Sequence, residues 1–190
     1  MWLVDVFMGA RLSFKIRQSS FLYLTCFNVI AFYLRGQLLQ GAFYMFIVNV
    51  EGAIYKNKKW LLVKRNEKEE HAGGMLSLIG GKVEKEGTST DILERTLKRE
   101  IAEEVGVEVS NLRYVNSSTF LTDAGISVVD IVFLCNHKSG EAFVKSADEV
   151  ESVIWMTTAE ILDNPSLPIY LKENIKLADK LARDKPSVLE

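Results

Sequence analysis

The chain has 190 residues, 48% of them hydrophobic and 25% charged, with 23 Lys and Arg against 25 Asp and Glu. That length supports one domain with or without an extension, and the composition excludes a disordered or collagen-like chain. A net charge of −2 argues against an electrostatic nucleic-acid binder, so no nucleic acid polymer is expected as a partner.

The averages conceal two unlike pieces. Residues 1–50 hold five charged side chains (Asp5, Arg11, Lys15, Arg17 and Arg35) but 11 of the 19 aromatic residues. From Gln18 to Leu34 there is no charge, and Phe21–Leu34 is apolar apart from Thr25 and Asn28. That run falls short of the roughly 20 residues a membrane-spanning helix needs. Arg11, Lys15 and Arg17 precede it as the basic region of a signal peptide would, yet Leu39-Gln40-Gly41-Ala42 makes a poor cleavage site. Residues 1–42 are therefore read as an apolar extension of unassigned role, with translation starting at Met45 as one alternative. Membrane contact through residues 18–34 is another, which the run length does not favour. Cys26 and Cys135 have no CxxC or metal spacing, so neither a disulfide framework nor a zinc site is implied and a cytoplasmic setting is expected.

The second piece, residues 43–185, alternates strand and helix signals. Phe43–Val50 is β-branched and aromatic, Glu51-Gly52 reads as a break, and the strand resumes at Ala53–Tyr55 before a turn at Lys56–Lys59. Trp60–Lys64 is a short strand, Arg65–Gly74 a charged loop, and Met75–Ile79 a strand ended by Gly80-Gly81. A helix is expected over Asp91–Val105, with Thr88, Ser89 or Thr90 as N-cap and Gly106 closing its C-terminus. Strand-like runs follow at Leu112–Val115, Ser118–Leu121, Ser127–Asn136 and Val153–Met156. Thr157 or Thr158 caps a short helix to Leu162, and Ile169–Arg183 has helical periodicity. The pattern predicts an α+β layered domain built on a mixed sheet.

Chemistry concentrates in Arg99-Glu100-Ile101-Ala102-Glu103-Glu104. On a helical wheel Leu93, Leu97, Ile101 and Val105 lie at about 0°, 40°, 80° and 120°, forming the core stripe. Glu104 falls inside it at about 20°, Glu100 on its margin at about 340°, and Glu103 faces away at about 280°. A carboxylate inside an apolar stripe must be paired or bound to a cation. Glu100 and Glu104 are also like-charged i, i+4 neighbours, which repel unless something positive lies between them. Arg99 can brace Glu103 but cannot neutralise three carboxylates. A hard divalent cation can, with Mg²⁺ the default and Mn²⁺ a substitute, which points to metal-assisted phosphoryl chemistry. Gly80-Gly81 just upstream lets backbone approach a ligand closely. Lys82 and Glu84, which follow, are candidate substrate contacts.

The stretch from Gly81 to Val107 resembles the Nudix box: Gly, five residues, Glu, seven residues, Arg-Glu, an aliphatic, any residue, Glu-Glu, any residue, Gly, an aliphatic. Its second half matches in full from Arg99-Glu100 to Gly106-Val107. In the first half Asp91 stands for the loop glutamate, nine residues rather than five separate it from Gly81, and Ile79 replaces the usual proline. Asp148–Met156 followed by Ala159–Leu162 is similar to the family's late acidic loop, strand and short helix. The resemblance implies an α/β/α sandwich around a mixed β-sheet and hydrolysis of a nucleoside diphosphate linked to another moiety. It implies Glu100 and Glu104 as principal Mg²⁺ ligands with the Gly81 carbonyl alongside. Glu103 would be a further ligand or the base for the attacking water, and Arg99 would orient a glutamate. Glu149 and Glu151 are alternative bases. Phe120, Phe133 and Tyr170 are candidate platforms for a nucleobase, and His71 is a candidate substrate contact. The substrate would be a small nucleotide derivative, and a homodimer is left open. The rival reading, a nucleotide-sensing or partner-binding domain without turnover, is disfavoured by the intact Glu100, Glu103 and Glu104.

Overall fold

Alternation along the first strand decides the layering, because FIVNVEGAIYK sends Val50 and Ile54 to one face of the sheet and Ala53 to the other, all fully buried. A strand apolar on both faces needs cover on both. The structure, a computed structural model, describes residues 46–69, 72–122 and 124–184. Every reading of residues 1–42, including the run at 18–34, lies outside the described residues, as does His71. In chain order the elements are β1 (Phe46–Lys56), β2 (Lys59–Arg65), β3 (Leu76–Ser77), β4 (Ile79–Lys82) and α1 (Ile92–Glu104). They continue with β5 (Glu108–Leu121), β6 (Ser127–Ser139), β7 (Val150–Thr157), α2 (Thr158–Asp163) and α3 (Ile169–Arg183).

The sheet is mixed. β1 runs parallel to β6, with Val50 opposite Ile131 and Ile54 opposite Cys135, and antiparallel to β2 and β4. β5 pairs antiparallel with β6, and β7 with β2. α1 covers one face, burying Leu97, Ile101 and Val105 against Val50, Ile54 and Leu61. α2 and α3 cover the other, where Ile161, Leu171, Ile175 and Ala178 pack on Trp60, Leu62 and Leu134. Each of the Leu, Ile and Val side chains among them contributes about 1.5–3 kcal/mol by leaving water. Thr157 starts α2 through a capping box with Glu160, and the Trp60 indole N–H donates to the Thr158 hydroxyl (2.9 Å), tying that layer to the sheet. The architecture is the expected α/β/α sandwich. Cys135 is buried in the first core, where desolvation pushes its thiol pKa up to about 12, so it behaves as a small apolar residue. No helix among the described residues is long and apolar enough to cross a membrane.

Four local expectations are corrected. Glu51-Gly52 does not break the first strand: β1 is continuous, and Gly52 is where α1 approaches, since a Cβ there would meet Ile101 Cδ1 at 3.1 Å. Gly80-Gly81 does not end a strand but lies inside β4, opposite Glu51 and Val50. The two runs between 112 and 121 are one strand, β5, whose register shifts along its pairing with β6. At the start of α1 none of Thr88, Ser89 and Thr90 is the N-cap. Asp91 takes that position in a left-handed conformation (φ 53°) without a side-chain cap bond, a region Asp tolerates better than most residues. Gly106, by contrast, does close the helix with φ 68°.

At Gly80 any Cβ would overlap the Val50 carbonyl oxygen, which is main chain and cannot swing aside. Gly80→Ala is therefore expected to destabilise the domain by about 2 kcal/mol, read as a lowered urea midpoint with unchanged slope.

Candidate active site

The α1 wheel sorts its carboxylates by burial as the periodicity requires. Glu104 is 6% exposed, whereas the side chains of Glu100 and Glu103 are 16% and 58% exposed. Arg99 lies beside both of the outer pair, with Nη1 donating to Glu103 Oε2 (2.9 Å) and Nη2 to Glu100 Oε1 (2.8 Å). Partial burial works against the Arg99 charge, but Glu100, Glu103 and Glu84 outweigh it and raise the guanidinium pKa. The bracing expected for Glu103 thus extends to Glu100.

Burial pushes the Glu104 carboxyl up to about 8, aided by the charges of Glu149 and Glu100 and opposed by Arg65. Glu100 is also raised, by burial first and then by Glu103 and Glu149, with Arg99 working against the shift. Gly81, on β4, backs this group closely. A Cβ there would sit 2.7 Å from Glu100 Oε1, so the absence of a side chain is what lets the carboxylate occupy that place. Lys82, the last residue of β4, and Glu84 just beyond it are exposed.

The loop before β7 is fixed to the C-terminal end of α1. The backbone N–H groups of Lys145 (2.9 Å) and Ser146 (3.3 Å) donate to the Glu104 carbonyl, and Lys145 Nζ donates to the Ala102 carbonyl (2.8 Å). Those carbonyls are orphans of the helix terminus, and a cation there complements the helix dipole. Asn66 completes the anchoring, its N–H donating to the Glu149 carbonyl (2.8 Å) and its amide to the Ala147 carbonyl (3.0 Å). Glu149 is thereby held close enough for its charge to act on both Glu104 and Glu100. Glu151, two residues on, bonds instead to Lys64 Nζ (2.8 Å).

Two groups that the sequence reading passed over lie nearby. Glu51 is half-buried on β1, and burial together with Asp130 raises its carboxyl to about 8, with Arg65 opposing and Glu104 adding to the rise. Asp130 is 6% exposed on β6 and accepts from the Asn49 amide (2.8 Å). The signal was present, since Asn49, Glu51 and Asp130 interrupt otherwise apolar strands on the face that α2 and α3 cover. Of the suggested aromatic platforms, Phe133 is buried in the α1-side core. Tyr170, half-exposed on α3, lies near Glu51 and Asp130; burial raises its hydroxyl pKa, as do their charges, while Arg65 opposes.

Among the described residues no three His, Cys, Asp or Glu side chains converge into a ready-made cage for a metal ion. Mg²⁺ does not require one, since it keeps several waters and takes part of its coordination from substrate phosphates. The donor set suits such an ion: hard oxygen ligands, a buried Glu104 whose charge the fold leaves poorly compensated, and an exposed Glu103 at the solvent side.

Comparison with known proteins identifies the family of the chain. The family model of the NUDIX domain matches residues 41–176. A curated relative, the NAD-capped RNA hydrolase NudC of Photobacterium profundum, is 31% identical over 109 residues, which is 57% of this chain and 37% of the relative. The chain thus spans little more than a third of that relative's length. Among solved structures, the MutT Nudix hydrolase from Burkholderia pseudomallei has a TM-score of 0.59 at 27% identity, covering 70% of this chain and 98% of that one. The MutT protein from Methanosarcina mazei Go1 has a TM-score of 0.62 at 22% identity, covering 76% of this chain and 100% of that one; at that identity the likeness concerns the fold.

Proposed function

The chain belongs to the Nudix family, and from that premise we propose that it is a divalent-metal-dependent pyrophosphohydrolase acting on a nucleoside diphosphate linked to a second moiety. The observation that carries the reading is the buried Glu104, raised to about 8 beside Glu100 and Glu149. No packing purpose is served by an under-compensated carboxylate in an apolar stripe, whereas a cation-dependent reaction needs one there. Glu100 and Glu104 would hold Mg²⁺ or Mn²⁺, with the Gly81 carbonyl alongside. When bound, such an ion neutralises diphosphate charge and lowers the pKa of a coordinated water.

The chain's own residues supply the rest. Arg99 holds Glu100 and Glu103 in place through its two bonds. Glu103, the most exposed of the three, is the reading's base for the attacking water, and Glu149 is the alternative from the anchored loop. Lys82 and Glu84 would meet the substrate from the loop side. The activity of the NudC relative on an NAD cap supports this substrate class. In that relative the cap is carried on RNA, so capped RNA belongs among the substrates to be tested despite the net charge of −2.

The test is a panel of free dinucleotides, nucleoside diphosphate sugars, nucleoside triphosphates and NAD-capped RNA, assayed with Mg²⁺ for phosphate-bond cleavage. Wild type is expected to cleave at least one member of the dinucleotide or sugar classes. Glu103→Gln is expected to lose roughly 10²-fold in kcat. Absence of metal-dependent turnover on every substrate would sink the hydrolase reading and favour a sensing domain.

A further inference from the structure

Arg65 ends β2 on the face that α1 covers. It stands opposite Val150 on β7, and Val150 belongs to the core beneath α1 together with Val63 and Val105. Backbone bonds tie this corner to the end of the helix. The Val150 N–H donates to the Ser146 carbonyl (2.9 Å), and the Ser146 N–H to that of Glu104 (3.3 Å). On its other edge β2 meets β3, where Ser77 stands opposite Val63 and the Arg65 N–H donates to the Met75 carbonyl (3.0 Å). Opposite residues of an antiparallel pair share a face, and side chains alternate along each strand. Ser77 and Arg65 therefore project from the α1 face in adjacent rows.

Both side chains carry a polar atom without a partner. Arg65 Nη2 donates to Glu69 Oε2 (2.6 Å). Arg65 Nε, however, is buried and unbonded, and so is the hydroxyl of Ser77, a residue only 6% exposed. Among the described residues three buried side-chain atoms are unsatisfied in this way, and two of them lie at this corner without satisfying each other. A buried donor that has lost its water needs an acceptor, which here must come from outside the chain. The Arg65 side chain as a whole is 29% exposed, so a ligand reaches it from solvent. A planar, charged guanidinium edge suits a phosphate oxygen better than a neutral acceptor. The surroundings favour the same ligand, because Arg99 is already committed to Glu100 and Glu103. A diphosphate arriving beside those carboxylates needs another cation from the chain.

We propose that Arg65 and Ser77 form a phosphate-binding subsite, in which the Arg65 Nε–H and the Ser77 hydroxyl donate to oxygens of the substrate's diphosphate. This deepens the pyrophosphohydrolase reading and rests on it. The assignment is to the anion and not to the metal ligands. The one carboxylate bonded to Arg65 among the described residues is Glu69, and neither Arg65 nor Ser77 bonds to Glu100, Glu103 or Glu104. Losing either side chain therefore weakens diphosphate binding and leaves metal affinity in place.

Calorimetry on the full chain measures binding of imidodiphosphate, a diphosphate whose bridging nitrogen resists cleavage, in Mg²⁺, and separately binding of Mn²⁺ alone. Arg65→Gln is expected to weaken imidodiphosphate binding about 30-fold and Ser77→Ala about threefold. Mn²⁺ affinity is expected to stay within about twofold of wild type in both. Arg65→Lys, which keeps the charge but loses the fork, is expected to fall between wild type and Arg65→Gln, and it carries the test should Gln not fold. Glu69→Gln frees Nη2 and removes an anion, so it is expected to bind imidodiphosphate no more weakly than wild type. Wild-type imidodiphosphate affinity in the Arg65 variants overturns the proposal. So does an equal loss of Mn²⁺ affinity, or a Glu69→Gln variant as weak as Arg65→Gln, either of which would mark a role in holding the loop. A wild-type chain that binds neither Mn²⁺ nor imidodiphosphate and cleaves nothing overturns the hydrolase reading, and this one with it. Normal wild-type binding and turnover, with Arg65→Gln unimpaired, isolates the failure to the subsite.

Discussion

Replacing Glu104 with Gln is expected to lower kcat/KM by roughly 10³-fold while leaving the melting temperature of the metal-free protein no lower than wild type. The two halves of that result come from one cause. The Glu104 side chain is 6% exposed and lies in the fields of Glu149, Glu100 and Glu69, with Arg65 as the opposing charge. In the proposed reaction its negative charge would hold the cation, and an amide of the same shape would not. In the resting metal-free fold the same charge is a liability, because burial disfavours it and its neighbours repel it. Gln keeps the volume and removes the repulsion. An ordinary core glutamate would behave differently, with Gln neutral in both assays. A structural ion pair would give a third pattern, with Gln lowering the melting temperature by exposing an unpaired partner. Thermal melts in chelator together with steady-state kinetics at saturating Mg²⁺ separate the three, and a lowered melting temperature would reassign Glu104 to a structural role.

Much of this site was legible because α1 obeys its periodicity. The 100° rotation per residue placed Glu104 in the apolar stripe, Glu100 at its edge and Glu103 outside, and burial follows that order. Gly106 likewise closes the helix as its position suggests. What the sequence hid was long-range pairing. Gly80-Gly81 reads as a strand end because glycine weakens strands locally, yet pairing with Glu51 and Val50 keeps both glycines within β4. Close approach of Val50 backbone at Gly80 and of Glu100 at Gly81 is what requires glycine there. Glu51 was read as a break for the same local reason, and its proximity to Asp130 arises only once β1 and β6 align. The different settings of Glu149 and Glu151 were also invisible. They are two apart in a charged segment, and only the anchoring of residues 145–149 on the end of α1 and on Asn66 separates them.

Stability of the metal-free protein is expected to fall as pH rises from about 5 to 8, and added Mg²⁺ or Mn²⁺ to recover more of it at pH 8 than at pH 6. Glu104 is raised in the fold from 4.5 to about 8, so between those values the folded chain keeps a proton that the unfolded chain has released. The folded state binds more protons there, which makes stability decline with rising pH through that window and level off on either side. At pH 7 the decline attributable to Glu104 is roughly 3 kcal/mol. Glu51 and Glu100 shift in the same direction, so the total slope exceeds this share, and Glu104→Gln isolates it by flattening the curve. Divalent cations compete with that proton for the carboxylate, so their affinity, and the stabilisation they confer, grows as pH approaches 8. Urea titrations at four pH values, in chelator and in Mg²⁺, for wild type and Glu104→Gln, read all of these quantities. Wild-type stability that rose with pH in chelator would mean Glu104 is compensated inside the fold, and the case for a cation at this position would lose its physical basis.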